Sequence, residues 1–224
     1  MFNILFRKYY GSFTFCLKNL ILPPAIVFNL PAKNAAYLRI PRTGSSFIMS
    51  QLLQQNPILK HLTQLHPTTM NVQSKKFLQR KIKPAENQPL LFTIVRNPFD
   101  RILSVYHHIY LPAPYIYQHY LWGFIPAGLS FVEFLLKVEK IPDRLRDWHI
   151  RSQYGLIKPF LKYKPLIFSF DQLEKKDALA EIRSIGLNFN SFSSSSKKYH
   201  ISDVEQKLIK KIYYMDFQLI DFKE

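Results

Sequence analysis

The sequence predicts an α/β fold with a central parallel sheet flanked by helices, and three observations carry the prediction. Short apolar runs of strand length recur at 36–40, 90–95 and 166–170. Each is followed by a helix-period apolar pattern, at 47–53, at 102–106 and from about 175 to 185. Two serine–glutamate pairs at capping-box spacing, Ser130/Glu133 and Ser202/Glu205, open further helices. Strands alternating with helices favour a parallel sheet covered on both faces, with ligands at the carboxyl ends of its strands.

In chain order, the run at 36–40 is short and apolar enough for a buried strand, and Phe47, Ile48, Met49, Leu52 and Leu53 then repeat at helical spacing. Between them lies the tight segment Pro41-Arg42-Thr43-Gly44-Ser45. The run at 90–95 is the second strand, and Ile102, Leu103, Val105 and Tyr106 mark the next helix, with Pro98 suited to its first turn. Pro165 precedes the third strand, Gly186 would end the helix after it, and 191–198 is a polar break.

At 224 residues the chain can hold one sizeable core. A single domain is expected over 36–224, with 1–35 a basic N-terminal segment left unassigned. Apolar residues make up 47% and aromatic residues 15%, which excludes disorder. The single cysteine, Cys16, cannot form an intramolecular disulfide and suits a reducing compartment. The apolar stretch 20–30 is broken by Pro23 and Pro24 and falls short of the ~20 residues that span a bilayer. Residues 1–8 place their positive charge after the apolar residues, which is not a signal-peptide pattern. A cytoplasmic location is expected, with peripheral contact to a membrane compatible with the charge.

That charge is +16, and it is uneven. Residues 1–85 hold twelve Lys or Arg and no Asp or Glu, the first acid being Glu86. Such a field implies anionic partners, and a phosphorylated cofactor, an acidic glycan, an anionic membrane face or nucleic acid would satisfy it equally.

The segment 37–47 runs strand, basic loop, helix start. Amides at a helix N-terminus point outward with the positive end of the dipole, Thr43, Ser45 and Ser46 add hydroxyls, and Gly44 lets an oxygen come close. By itself the segment is equally an ordinary strand-to-helix turn. It is not a Walker A loop, which needs two glycines and a lysine before Ser/Thr. A second segment, 94–106, again ends a strand in a cation, Arg96. Ser104, eight residues on, is placed to meet the same phosphate. The alternative for Arg96 is an ion pair with Asp100.

Together, in this order and spacing, the two segments resemble the paired signature of PAPS-dependent sulfotransferases, the carbohydrate-type family in particular, as a soluble bacterial-like member. PAPS is 3′-phosphoadenosine 5′-phosphosulfate. The family's first loop reads like I-P-K-T-G-[GS]-[ST]-S, here Ile40 to Ser46, and its second like R-[DN]-P-x-x-R-x-x-S-x-Y, matched throughout from Arg96 to Tyr106. Three further echoes are His149-Ile150-Arg151-Ser152-Gln153 for H-x-x-P-Q, 167–173 for a strand and an acidic E-x-L element, and 212–217 for a closing Y-x-x-D-[YF].

The resemblance implies a single P-loop-like three-layer domain and an enzyme that moves the sulfuryl group of PAPS onto an acceptor hydroxyl, on a carbohydrate or glycolipid. It implies that Arg42, Thr43, Gly44, Ser45 and Ser46 hold the 5′-phosphosulfate and that Arg96 and Ser104 hold the 3′-phosphate. Lys197 and Lys198, after the serine run, are candidate phosphate clamps, and a solvated charge pair is the alternative. Arg42 stands where the family has lysine, which keeps the catalytic charge and changes its shape.

A base of near-neutral pKa is needed for the acceptor hydroxyl, and histidine suits it. His66, within Leu65-His66-Pro67-Thr68-Thr69, best resembles the family's pattern between the two segments, with His61 as the neighbouring alternative. His149 is a candidate substrate-binding residue. His107 and His108, being adjacent, diverge on a helix and make a poor metal pair. No Cys/His cluster has metal spacing, and no metal is expected. Two alternatives remain at this point. One is a basic nucleic-acid or membrane-surface module, although the Arg96/Ser104 spacing leads us to expect no nucleic acid. The other is a nucleotide-dependent phosphotransferase.

Overall fold

Four strands form one sheet in sequential order: β1 (Ile26–Leu30), β2 (Ala35–Arg39), β3 (Leu90–Val95) and β4 (Leu166–Ser169). β2, β3 and β4 run parallel, and β1 pairs antiparallel with β2, Leu30 opposite Ala35. The computed structural model describes residues 26–30, 34–56, 58, 60–65, 90–112, 124–174, 180, 183 and 200–221. They fall into two compact units, one of 25–96 with 160–197 and one of 97–159 with 198–224.

In the sheet unit every residue of β2 is buried, and of β3 all but Leu90, which is why these strands read as unbroken apolar runs. One aromatic ladder crosses all four strands, Phe28 to Tyr37 at 6.4 Å between ring centroids, Tyr37 to Phe92 at 5.2 Å and Phe92 to Phe168 at 6.4 Å. A one-residue slip would turn these rings to the opposite face, so the ladder fixes the register. Each fully buried ring contributes about 1.5–3 kcal/mol relative to exposure. The buried Thr93 hydroxyl is satisfied by donating to Leu38 O at 2.8 Å. Helix α1 (Ser45–Gln54) follows β2 and buries Ile48, Met49, Leu52 and Leu53, four of the apolar positions seen in the sequence.

The sheet is therefore not wholly parallel, and β1 lies within the segment left unassigned from the sequence. Asn34 adopts φ 45°, a left-handed conformation that asparagine tolerates, and its carbonyl accepts the Leu90 N–H at 2.8 Å.

The helical unit begins with α2 (Pro98–Val105), where Pro98 sits in the first turn and the Asn97 side chain accepts the Phe99 N–H at 3.0 Å. One π-helical stretch, Tyr106–Tyr110, continues it. Further along come α3 (Phe131–Glu139), the short α4 (Gln153–Ile157), α5 (Asp203–Ile212) and α6 (Tyr214–Asp221). Both predicted capping boxes are present, Ser130 with Glu133 and Ser202 with Glu205. The core joins Ile102, Val105, Tyr106, Tyr110, Phe134, Val138, Ile209 and Tyr213. Tyr110 anchors a loop to it, donating to Pro126 O at 2.6 Å and accepting the Leu129 N–H at 2.8 Å. The helix expected at 175–185 lies outside the described residues apart from 180 and 183, which are helical.

Candidate active site

The loop after β2 has an unusual backbone. Arg42 and Gly44 both take left-handed φ, 66° and 72°. Glycine is required at the second position, because a Cβ there would overlap the ring of Phe170. Gly44 is the N-cap of α1, and its carbonyl accepts the Ile48 N–H at 3.1 Å. The first amides of α1 therefore open onto the loop, as helix N-termini do. Thr43 is fully buried, and its hydroxyl donates to Ile40 O at 3.0 Å, closing the turn from inside. Ser45 is buried, whereas Arg42 and Ser46 are half-buried. Arg39 ends β2 just before the loop at 9% exposure, and burial holds its guanidinium pKa below the ordinary arginine value, against the opposing pull of Tyr37.

Arg96 follows β3 in the same unit. Its guanidinium carbon lies over the Phe170 ring, 5.0 Å from the centroid, and the Phe170 N–H donates to Val95 O at 2.6 Å. One aromatic ring thus lies against both the loop glycine and the strand-end arginine.

The helical unit ties three separate segments into one buried polar knot. Arg101, 1% exposed, donates from Nη1 to Arg151 O at 2.8 Å and from Nη2 to Trp148 O at 3.2 Å. Asp216, fully buried, accepts the N–H of Gln153 at 2.9 Å and of Tyr154 at 2.8 Å. Burial pushes its carboxyl up to about 6, although the Arg101 charge and these two hydrogen bonds pull it down. Tyr213 donates to Ile150 O at 2.8 Å. The carboxylate of Asp143 accepts the Ser152 N–H at 2.8 Å, its hydroxyl at 2.7 Å and Arg146 Nη1 at 3.1 Å. Ser152 caps α4 by accepting the Gly155 N–H at 2.9 Å.

These connections join the segments 96–106, 149–153 and 212–217, which the sequence holds far apart. The model of the Sulfotransferase family matches residues 27–223. The chain belongs to the sulfotransferase family. It is thus an enzyme of the PAPS-dependent sulfotransferase class. No curated protein and no solved structure matches it. Among the described residues, no helix of this sulfotransferase is long and apolar enough to cross a membrane.

Of the residues the sequence nominates in the sulfotransferase, Arg42, Thr43, Gly44, Ser45, Ser46 and Arg96 all lie in the sheet unit. Ser104 is half-buried on α2, and His149 is in the helical unit. His66, Lys197 and Lys198 lie outside the described residues. His61 is exposed on a 3₁₀ turn, with Nδ1 3.0 Å from Ile58 O. His107 is half-buried with its pKa lowered by burial, and His108 is exposed.

Two residues that the sequence reading passed over shape these positions. Phe170 was legible as the end of an apolar strand and as part of the echo at 167–173, with no role of its own. Asp147 accepts His149 Nδ1 at 2.6 Å and the His149 N–H at 2.9 Å with the same oxygen. A carboxylate at Nδ1 sets the tautomer and leaves Nε2 of a neutral imidazole to accept a proton or a substrate hydroxyl.

Proposed function

We propose that the protein transfers the sulfuryl group of PAPS onto a hydroxyl of a carbohydrate or glycolipid acceptor, in the cytoplasm or at an anionic membrane face. The observation that carries the donor site is the loop of left-handed Arg42 and Gly44 at the N-terminus of α1, set against Phe170 with Arg96 beyond it. Cationic side chains, helix-terminal amides and a glycine with no Cβ form the donor set that a sulfate or phosphate group takes.

PAPS, when bound, supplies the sulfuryl group and leaves as adenosine 3′,5′-bisphosphate. In this reading Arg42, Thr43, Gly44, Ser45 and Ser46 hold the 5′-phosphosulfate, and Arg42 neutralises charge on the bridging oxygen as the S–O bond breaks. Arg96 and Ser104 hold the 3′-phosphate, with Lys197 and Lys198 as clamps. His66 takes the proton of the acceptor hydroxyl as its oxygen bonds to sulfur, and His149, steadied by Asp147, binds the acceptor. No metal has a role in this scheme.

The test is calorimetric titration of adenosine 3′,5′-bisphosphate at fixed salt, with ADP and AMP as controls, on the wild type and on Arg96→Ala. Binding that requires the 3′-phosphate and falls at least tenfold in the folded variant is expected. Equal affinity for the three nucleotides would refute the donor site.

A further inference from the structure

Phe170 lies within the echo at 167–173 but outside the two segments of the paired signature, and it contacts each of them where they run through the sheet unit, at Gly44 and at Arg96. Its ring occupies the space that a Gly44 Cβ would need, and its face carries the Arg96 guanidinium at 5.0 Å. It is 4% exposed, and its own N–H is fixed to the carbonyl of Val95, the residue before Arg96. The ring is therefore held by its backbone, by burial and by a cation at once. We propose that Phe170 is a positioning residue for the donor, setting Arg96 and the Arg42–Gly44 loop against one rigid surface. The inference rests on the reading of Arg96 as a ligand of the 3′-phosphate.

The physical argument concerns what arginine does before the ligand arrives. A free arginine side chain samples many rotamers and loses that freedom on binding a phosphate. Stacking on an aromatic face orders it in advance and occupies the guanidinium face. Phosphate oxygens are met by the N–H edges in a bidentate fork, a different part of the group from the stacked face. The same ring fills the space beside Gly44 that a Cβ would take, so a displaced ring displaces the loop. Leucine keeps much of the volume of Phe170 and removes the π face, which separates packing from guanidinium placement.

The experiment compares Phe170→Leu with the wild type, measuring affinity for adenosine 3′,5′-bisphosphate and for AMP by calorimetry and the Arg96 Nε–H resonance by NMR. The wild type should prefer the bisphosphate, and Phe170→Leu should reduce that preference about three- to thirtyfold, the range of a cation–π contact. The Arg96 signal should lose its ring-current displacement. Should Phe170→Leu not fold, Phe170→Met is read in its place. A variant that folds and keeps the wild-type preference overturns the proposal, as does an equal loss toward both nucleotides, which would make the ring plain packing. A wild type that shows no preference removes the donor reading itself, and the inference with it.

Discussion

Replacing Gly44 by alanine separates two costs that the loop keeps together. Alanine at φ 72° sits in the left-handed region, a strain of about 1–2 kcal/mol. The new Cβ also meets the Phe170 ring, which is 4% exposed and tethered to Val95 O at 2.6 Å, so it cannot swing into solvent. Overpacking of this kind adds about 1–3 kcal/mol. The sum, about 2–5 kcal/mol, is a large part of the 5–15 kcal/mol that typically holds a domain folded. Gly128 supplies the control, because it has φ 81° and nothing within 4 Å of its added Cβ. Gly128→Ala should therefore show the strain alone. Urea unfolding of both variants measures the difference, and calorimetry with adenosine 3′,5′-bisphosphate should show weakened binding only for Gly44→Ala. Equal destabilisation by the two substitutions would refute the claim that the ring is fixed against the loop.

Two further substitutions probe the chemistry and the knot. His66→Ala should retain bisphosphate affinity while lowering the turnover number about 10²–10⁴-fold in a coupled PAPS assay with a screened acceptor, and unchanged turnover would remove His66 from the mechanism. For Asp216, the folded carboxyl is raised from 3.8 to about 6, so the folded state holds the proton more tightly. This group's contribution is present below about pH 4 and lost as pH rises to about 6, a fall of about 3 kcal/mol. Asp216→Asn should abolish that portion of the slope. It should also destabilise the fold at every pH, since an amide cannot accept both the Gln153 and Tyr154 N–H groups with its two ends. Urea titrations between pH 4 and 7 decide it, and an unaltered slope would remove Asp216 as its source.

Local chemistry was readable in the sequence wherever a few neighbouring residues decide the outcome. The strand Leu90–Val95 has the predicted bounds because its run from Leu91 to Val95 is buried without interruption and leaves only Leu90 exposed at the edge. The serines at 130 and 202 cap their helices because a hydroxyl three residues before a glutamate has a local partner. Strand β1 was missed because prolines surround it and a five-residue antiparallel edge strand has no periodicity of its own. Arg101 stood in the sequence only as a matched position of the second segment, and its buried bonds to the carbonyls of Trp148 and Arg151 make it part of the frame. Its partners are 47 and 50 residues away, a distance that no local pattern encodes. Ser152 has nearer partners: its place in a motif that usually has proline is explained by the α4 cap three residues on and by Asp143 nine residues before.

The bonds from Gln153 and Tyr154 to Asp216 also impose an order on how the protein is made. Asp216 is synthesised 63 residues after Gln153. At ribosomal speeds that interval is on the order of ten seconds. Until it closes, the amides at the start of α4 lack their carboxylate and the buried guanidinium of Arg101 lacks its counter-charge. The helical unit can collapse around its aromatic residues early, but its final locking step waits for the segment that carries Tyr213 and Asp216. Nascent chains stalled before that segment should therefore be open to proteases at 149–157 while the sheet unit, whose strands are complete by Ser169, is already protected.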